Sequence, residues 1–473
     1  MCVGLCTHLY APWSSSLTLV RSFTLVPATA VIIANIIGTG IFVKTRVMTA
    51  NVGSAEMVLA VWILAGLLSL AGAMVYAELS TMMPRAGGAF HFIGAAYGRR
   101  WAFLYGWTRM LVAGAGSAAV AILFVVFLND LYGGNLSPIA LKALPVAVLV
   151  LAMVLNFASG SANGTIATTL TVGKIFLVLS IAIGAFVFGD GSWMHFDGSA
   201  TSVVVDDVSD SARGGLTGFG AAMLGALWGY NGWNLIVGIG GEVKNPSFTL
   251  PRALIGGTVL VIVLYVLINV AYFYILSPSE IASISAESSV AFEVAGRFMG
   301  AGVAAVMSAG LMFSAYGTLH AGVLVGPRLP FALAERGMLP KWFMRLSSKG
   351  VPINAVVAMS GWAIVLALSG TFDILTDIYI FVLWVFYGMT VTGLFVLRRT
   401  RPDVDRPYRV WGYPFVPALF VLVTVFLLIN TIIATPWRAV FGLMFIVSGL
   451  PVYAYFKRHG NVDEGAFLAE GTE

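Results

Sequence analysis

Asn35-Ile36-Ile37-Gly38-Thr39-Gly40-Ile41-Phe42-Val43 is the stretch that decides how this chain is read. It ends an apolar run that begins near Leu25, so Gly38 and Gly40 fall where a membrane helix would be at mid-depth. Paired glycines loosen a helix and leave backbone N–H and C=O groups without partners. In hydrocarbon each such group costs several kcal/mol, so the break persists only where it lines a cavity or binds something. Polar backbone at the bilayer midplane is the material of a transport site.

Composition supports a membrane setting. The chain is 59% hydrophobic and 10% charged, with a mean hydropathy of +0.93, whereas soluble domains average about 25% charged residues. An all-α polytopic membrane protein is expected. Its two cysteines, Cys2 and Cys6, suit neither a disulfide framework nor a metal site. The excess of bases is spread over loops, which argues against nucleic acid. Phosphate-cradle and zinc motifs are absent, and no cofactor is expected.

About twenty apolar residues span a bilayer. Twelve stretches qualify, near 25–46, 56–80, 101–128, 139–158, 166–188, 217–241, 252–276, 300–330, 353–370, 373–397, 413–434 and 437–457. Residues 1–24 read as a cytoplasmic tail whose start lacks the charged region and cleavage site of a secretory signal. The polar loop 189–216, with Asp206, Asp207, Asp210 and Arg213, is expected outside. Ser279–Arg297 reads as a short amphipathic outer helix, and 459–473 as a cytoplasmic tail. Eighteen lysines and arginines fall on the side of the termini. Six fall opposite: Lys44, Arg46, Lys142, Arg213, Arg297 and Arg438. That bias places both termini in the cytoplasm, and the cytoplasmic (inner) membrane is the expected location. Arg109 and Lys174 lie within spans.

The sixth stretch is interrupted too, at Gly229-Tyr230-Asn231-Gly232-Trp233-Asn234, five spans after the first. Corresponding interruptions in two five-span halves point to an inverted repeat, 25–188 and 217–397, followed by two further helices in 398–458.

Four segments resemble the amino acid–polyamine–organocation superfamily, in particular its L-type amino acid transporter-like permeases. They are Ile36–Phe42; Tyr76-Ala77-Glu78-Leu79 with Pro84–Phe90; Gly232-Trp233-Asn234 with Glu242–Pro246 and Leu250-Pro251-Arg252; and Arg328 with Ala334–Lys341. The resemblance implies a LeuT-type fold with broken helices 1 and 6. It also implies alternating-access movement of amino acids, sodium-independent, by exchange or proton symport. Departures occur: Gly241-Glu242 stands where the family has paired acids, Ala89 where it often has an acid, and His320 where it usually has asparagine. Animal relatives join a heavy subunit through a cysteine in the span 3–4 loop. Residues 129–138 contain none, so no disulfide-linked partner is expected, and the chain should be a monomer or weak homodimer.

An amino acid zwitterion needs donors for its carboxylate and acceptors for its ammonium. The start of a half-helix at Gly38, Thr39 and Gly40 offers N–H groups at the positive end of a dipole. The carbonyls of Ile36, Trp228 and Tyr230 would face the ammonium, and Ile37, Gly229 and Asn231 complete the two breaks. Neither break contains an acid or base, which favours neutral amino acids. The resemblance implies that Trp228 closes over the substrate from outside. It also implies that Lys174 replaces the cation of sodium-coupled relatives, against span 1 and Ser314; a buried lysine can trade a proton. His320 is a further candidate for proton coupling, against the alternative of a packed histidine. Glu78, Arg85 and Glu242 are expected in cytoplasmic gate or structural ion pairs. Arg109 reads as a snorkelling residue or an inner salt bridge.

Other readings are a polyamine or cationic amino acid permease, or a sensor of the same fold that does not transport. A membrane enzyme would need paired acids, a histidine cluster or a nucleophile with its base. The five histidines lie in different segments. A channel would need a filter or rings of charge, and neither is visible.

Overall fold

A computed structural model describes residues 23–84, 87–158, 163–197, 208–238, 240–286, 288–347 and 351–459. The expectations for Arg85, Asp206, Asp207 and the two tails up to 22 and from 460 lie outside these residues, as does the side chain of Glu242.

Among the described residues the regular structure is helical, with two isolated β-bridges. In chain order the helices are α1 (Leu25–Ile36), α2 (Gly40–Val52), α3 (Ala55–Met82), α4 (Ala89–Tyr97), α5 (Arg99–Leu131), α6 (Pro138–Ala158), α7 (Asn163–Phe188), α8 (Gly215–Gly229), α9 (Pro246–Ile275), α10 (Pro278–Ser283), α11 (Val290–Val325), α12 (Arg328–Glu335), α13 (Ile353–Ser369), α14 (Phe372–Thr400), α15 (Phe415–Ala434), α16 (Pro436–Val447) and α17 (Gly449–His459). Among the described residues eight segments are long and apolar enough to cross a membrane, counting Pro436–Arg458 as one. The pair α1 and α2, bent by 41° at its break, makes a ninth. α8, α11 and α13 occupy three further stretches read as spans.

Two boundaries differ from expectation. Ser279–Arg297 is not one outer helix. α10 is closed by a capping box, Ser277 to Glu280, and α11 already begins at Val290. The charges of Glu293 and Arg297 hid ten residues of that helix from an apolar window, and Arg297 pairs with Glu280 at 3.0 Å. The last span is interrupted at Ser448, between α16 and α17.

α5 is the axle, packed against α6, α11, α13 and α14, while α1 lies on α7 and α9, and α2 on α8. Glycine permits the closest approach. At Gly232 φ is +111° and a Cβ would meet the Asn35 carbonyl oxygen at 2.9 Å, so only glycine brings the turn after α8 onto the end of α1. Large apolar residues such as Val172, Phe176, Ile183 and Val187 on α7, and Leu419, Leu422 and Ile433 on α15, are exposed on the outer surface. That surface suits hydrocarbon.

Candidate functional site

The two breaks meet at a cavity of about 190 Å³, roofed by Trp228 and bordered by Gly38, Thr39, Gly40, Asn231, Thr318, Arg109 and Tyr379. α1 stops at Ile36 and α2 starts at Gly40. At the start of α2 Phe42 N–H reaches the Thr39 carbonyl at 3.1 Å, which leaves the N–H groups of Gly40 and Ile41 without intrahelical acceptors, and the positive end of the helix dipole lies at the cavity. Thr39 is buried and its hydroxyl has no hydrogen-bond partner. A buried hydroxyl without a partner is costly, and this one stands beside the N–H groups that open α2.

The glycines of the first break differ. A Cβ at Gly38 would touch nothing closer than 3.7 Å and would project into space beside the cavity. One at Gly40 would lie 2.7 Å from Trp228 Cδ1 and 2.9 Å from Gly229 Cα. Gly40 thus serves the packing of α2 on α8, and Gly38 the opening itself.

Several expected contacts are redistributed. Ile36 borders the cavity, but its carbonyl already accepts from Gly38 N at 2.6 Å and from the Tyr265 hydroxyl at 2.7 Å. The carbonyl expected to face the ammonium is thus already engaged by two donors of the protein. The Trp228 carbonyl takes Asn231 N at 3.0 Å. Ile37 is buried in the core. Tyr230 turns away from the cavity: its ring packs edge-on against Trp62 at 5.7 Å and beside Tyr265 at 5.0 Å. The Tyr265 hydroxyl also reaches the Gly229 carbonyl at 2.9 Å. One tyrosine on α9 therefore joins both breaks.

Lys174 on α7 addresses the first break. Its ammonium donates to the Ala34 carbonyl at 3.0 Å and to Thr318 Oγ1 at 2.8 Å. Ser314 is not its partner. Ser314 sits one turn earlier on α11, where its carbonyl accepts from Thr318 Oγ1 and its hydroxyl has no partner. His320 does not join this group. Its Nδ1 meets Asn156 Nδ2 at 3.1 Å, and its ring stacks on Tyr316 at 6.2 Å.

Arg109 overturns its sequence reading. It lies ten residues into α5, about 15 Å along the axis, too deep to snorkel from that end. Among the described residues it meets no carboxylate. It stands on the cavity wall, donating to Tyr379 Oη at 3.0 Å. Tyr379 also accepts from Asn231 Nδ2 at 3.1 Å, and Tyr387 donates to Asn231 at 3.4 Å and to Asn234 at 3.2 Å. This chain from α5 through α14 to the second break was missed. Its only sequence signal is Tyr105 one turn before Arg109, which puts a hydroxyl and a guanidinium on one helix face.

Trp228 is buried and packs edge-on against Tyr379 at 5.3 Å and Phe372 at 6.0 Å. Beyond Phe372, Lys44 lies 4.7 Å from its ring centre, donates to Thr376 at 2.7 Å and stands 3.9 Å from Asp377, which Arg438 also engages. At the opposite end, fully buried Glu78 accepts from Arg398 at 2.9 and 2.6 Å and from Val410 N at 2.7 Å, with Arg406 at 3.5 Å. This is a clamp between α3 and the α14–α15 connection.

A family model described as amino acid permease matches residues 23–454. The chain is 33% identical to the serine/threonine exchanger SteT of Bacillus subtilis, over 91% of this chain and 95% of that protein. It is 32% identical to the b(0,+)-type amino acid transporter 1 of Rattus norvegicus, over 96% and 91%. It is 29% identical to the cystine/glutamate transporter of Homo sapiens, over 94% and 87%.

Proposed function

This chain belongs to the amino acid permease family, and from that premise we propose that it carries amino acids across the cytoplasmic membrane by alternating access at the cavity between its two breaks. The observation that carries this reading is the pairing at one cavity of the unsatisfied start of α2 with the partnerless Thr39 hydroxyl. These donors receive the α-carboxylate. Twelve spans in a five-plus-five inverted repeat, with two helices after it and both termini inside, account for two breaks on one cavity.

In this reading Trp228 and Phe372, backed by Lys44, Asp377 and Arg438, form the outer seal. Lys174 occupies the place of a coupling cation. It ties α7 and α11 to the Ala34 carbonyl near the end of α1, so movement of α1 must break or carry that bond. Transport is then sodium-independent, as exchange or proton symport. The names of the relatives, a serine/threonine exchanger among them, fit a carrier rather than a sensor or an enzyme.

Neutral substrates were expected because the breaks hold no acid or base. The guanidinium of Arg109 on the wall removes that ground, and together with Lys174 it disfavours polyamines and cationic amino acids. Purified protein in liposomes, loaded with one amino acid and offered each of the others without sodium, tests the function. Counterflow of a subset of amino acids is expected. Uptake of none, or a strict sodium requirement, would overturn it.

A further inference from the structure

Arg109 is a guanidinium facing a transport-sized cavity without an acid to neutralise it. Among the described residues it has no carboxylate partner, and the residues bordering the cavity include no aspartate or glutamate. Its neighbours are tyrosines: Tyr379 accepts one of its N–H groups, and Tyr105 lies beside it. A guanidinium has five N–H donors, so two phenol oxygens leave donors over. A charge of this kind inside a membrane protein is costly until a counter-charge arrives.

Tyr379 sharpens the point. Its oxygen accepts from Arg109 and from Asn231. Its own proton is not needed for either bond and is free to be donated toward the cavity it borders. A planar fork of N–H groups and a phenol O–H on one wall are donors suited to two oxygens of one carboxylate. The α-carboxylate has its own place across the cavity, at Thr39 and the start of α2. Lys174, the cation at the first break, is engaged by Ala34 and Thr318.

We propose that Arg109, assisted by Tyr379, is the specificity-determining residue of the cavity and selects amino acids whose side chain ends in a carboxylate. A neutral amino acid leaves the guanidinium without a counter-charge, and a basic one adds a like charge. This rests on the cavity being the transport site.

Acidic amino acids and their amides are nearly isosteric and isolate the charge. In sodium-free liposomes, L-glutamate and L-aspartate should inhibit uptake at concentrations at least about tenfold below those of L-glutamine and L-asparagine, as a charge-assisted bidentate contact predicts. Arg109→Gln should erase that ratio while uptake of the amides continues. Arg109→Lys, which keeps the charge and loses the fork, should fall between. A wild-type protein that does not prefer the acids over the amides overturns the proposal without need of any variant. Parallel loss of both classes in Arg109→Gln, with Arg109→Lys intact in both, also overturns it, since that pattern is structural. Transport of no amino acid by the wild type is a different result, which overturns the transport reading itself.

Discussion

The break between α1 and α2 and the break after α8 border one cavity, but they meet their unsatisfied backbone by different means. At the first, the acceptor side is capped from other helices: Lys174 holds the Ala34 carbonyl and Tyr265 the Ile36 carbonyl. The donor side, the start of α2, is left to the cavity with the Thr39 hydroxyl. At the second, the chain caps itself mostly in turns, Tyr230 N to Ala226 O, Asn231 N to Trp228 O and Leu235 N to Gly232 O, with Tyr265 reaching only the Gly229 carbonyl there. What it presents is side chains, Trp228 and Asn231, backed by Tyr379, Tyr387 and Arg109. The first break thus presents backbone to the cavity and the second presents side chains. If the cavity is the transport site, the first serves every amino acid and the second seals or discriminates. Substitutions at the first should affect all substrates alike, and those at the second should affect access or preference.

The largest effect is expected at Lys174. Lys174→Ala strands the Ala34 carbonyl, worth about 1–3 kcal/mol when buried, and unties Thr318 from α7, so turnover should fall by about tenfold or more for every substrate, with KM changed much less. Wild-type turnover would remove Lys174 from the mechanism.

Gly40→Ala should come next. Its Cβ has no room beside Trp228 and Gly229, an overpacking of about 1–3 kcal/mol, read as a lower melting temperature and lost uptake. Gly38→Ala should melt like the wild type and bind substrate less well. Equal melting losses in both would deny the division of labour between the two glycines.

Trp228→Ala should leave expression intact, reduce transport, and raise the reactivity of a cysteine placed in the cavity toward an outside thiol reagent. Unchanged accessibility would make Trp228 a packing residue only.

The smallest effect is expected for Tyr265→Phe, which keeps the ring and removes one proton shared between two carbonyls. A net hydrogen bond is worth about 0.5–1.5 kcal/mol, so apparent affinity should fall by a few-fold, equally for all substrates. A change in preference between substrates would mean that the two breaks are not linked in this way.

Both breaks were legible in the sequence, because clustered glycines loosen a helix at a depth where hydrocarbon offers the freed backbone no partner. The side-chain directions were not. At a broken helix the 3.6-residue period stops, so Ile37, Gly229 and Tyr230 could not be told from Thr39 and Asn231 by spacing. Lys174 was legible as an interior charge, but its partner lay a turn from the expected Ser314, since register across two helices is set by packing. Arg109 was misread because the apolar window began α5 two residues late. Tyr379 and Tyr265 lie on spans with no break, and nothing local marked them. The start of α11 was hidden by the charges in its first turns, which the surrounding outer segments accommodate.

The central claim is that the amino acid lies against the first break, and it can be probed at Thr39 itself. With Cys2 and Cys6 replaced by serine, the labelling rate of Thr39→Cys by a small thiol reagent is measured with increasing transported amino acid, beside Ser283→Cys, at an exposed position of α10, as control. Labelling at residue 39 should slow, with half-protection near the transport KM, and labelling at residue 283 should be unaffected. Labelling of residue 39 that ignores a substrate the same protein transports would contradict that claim.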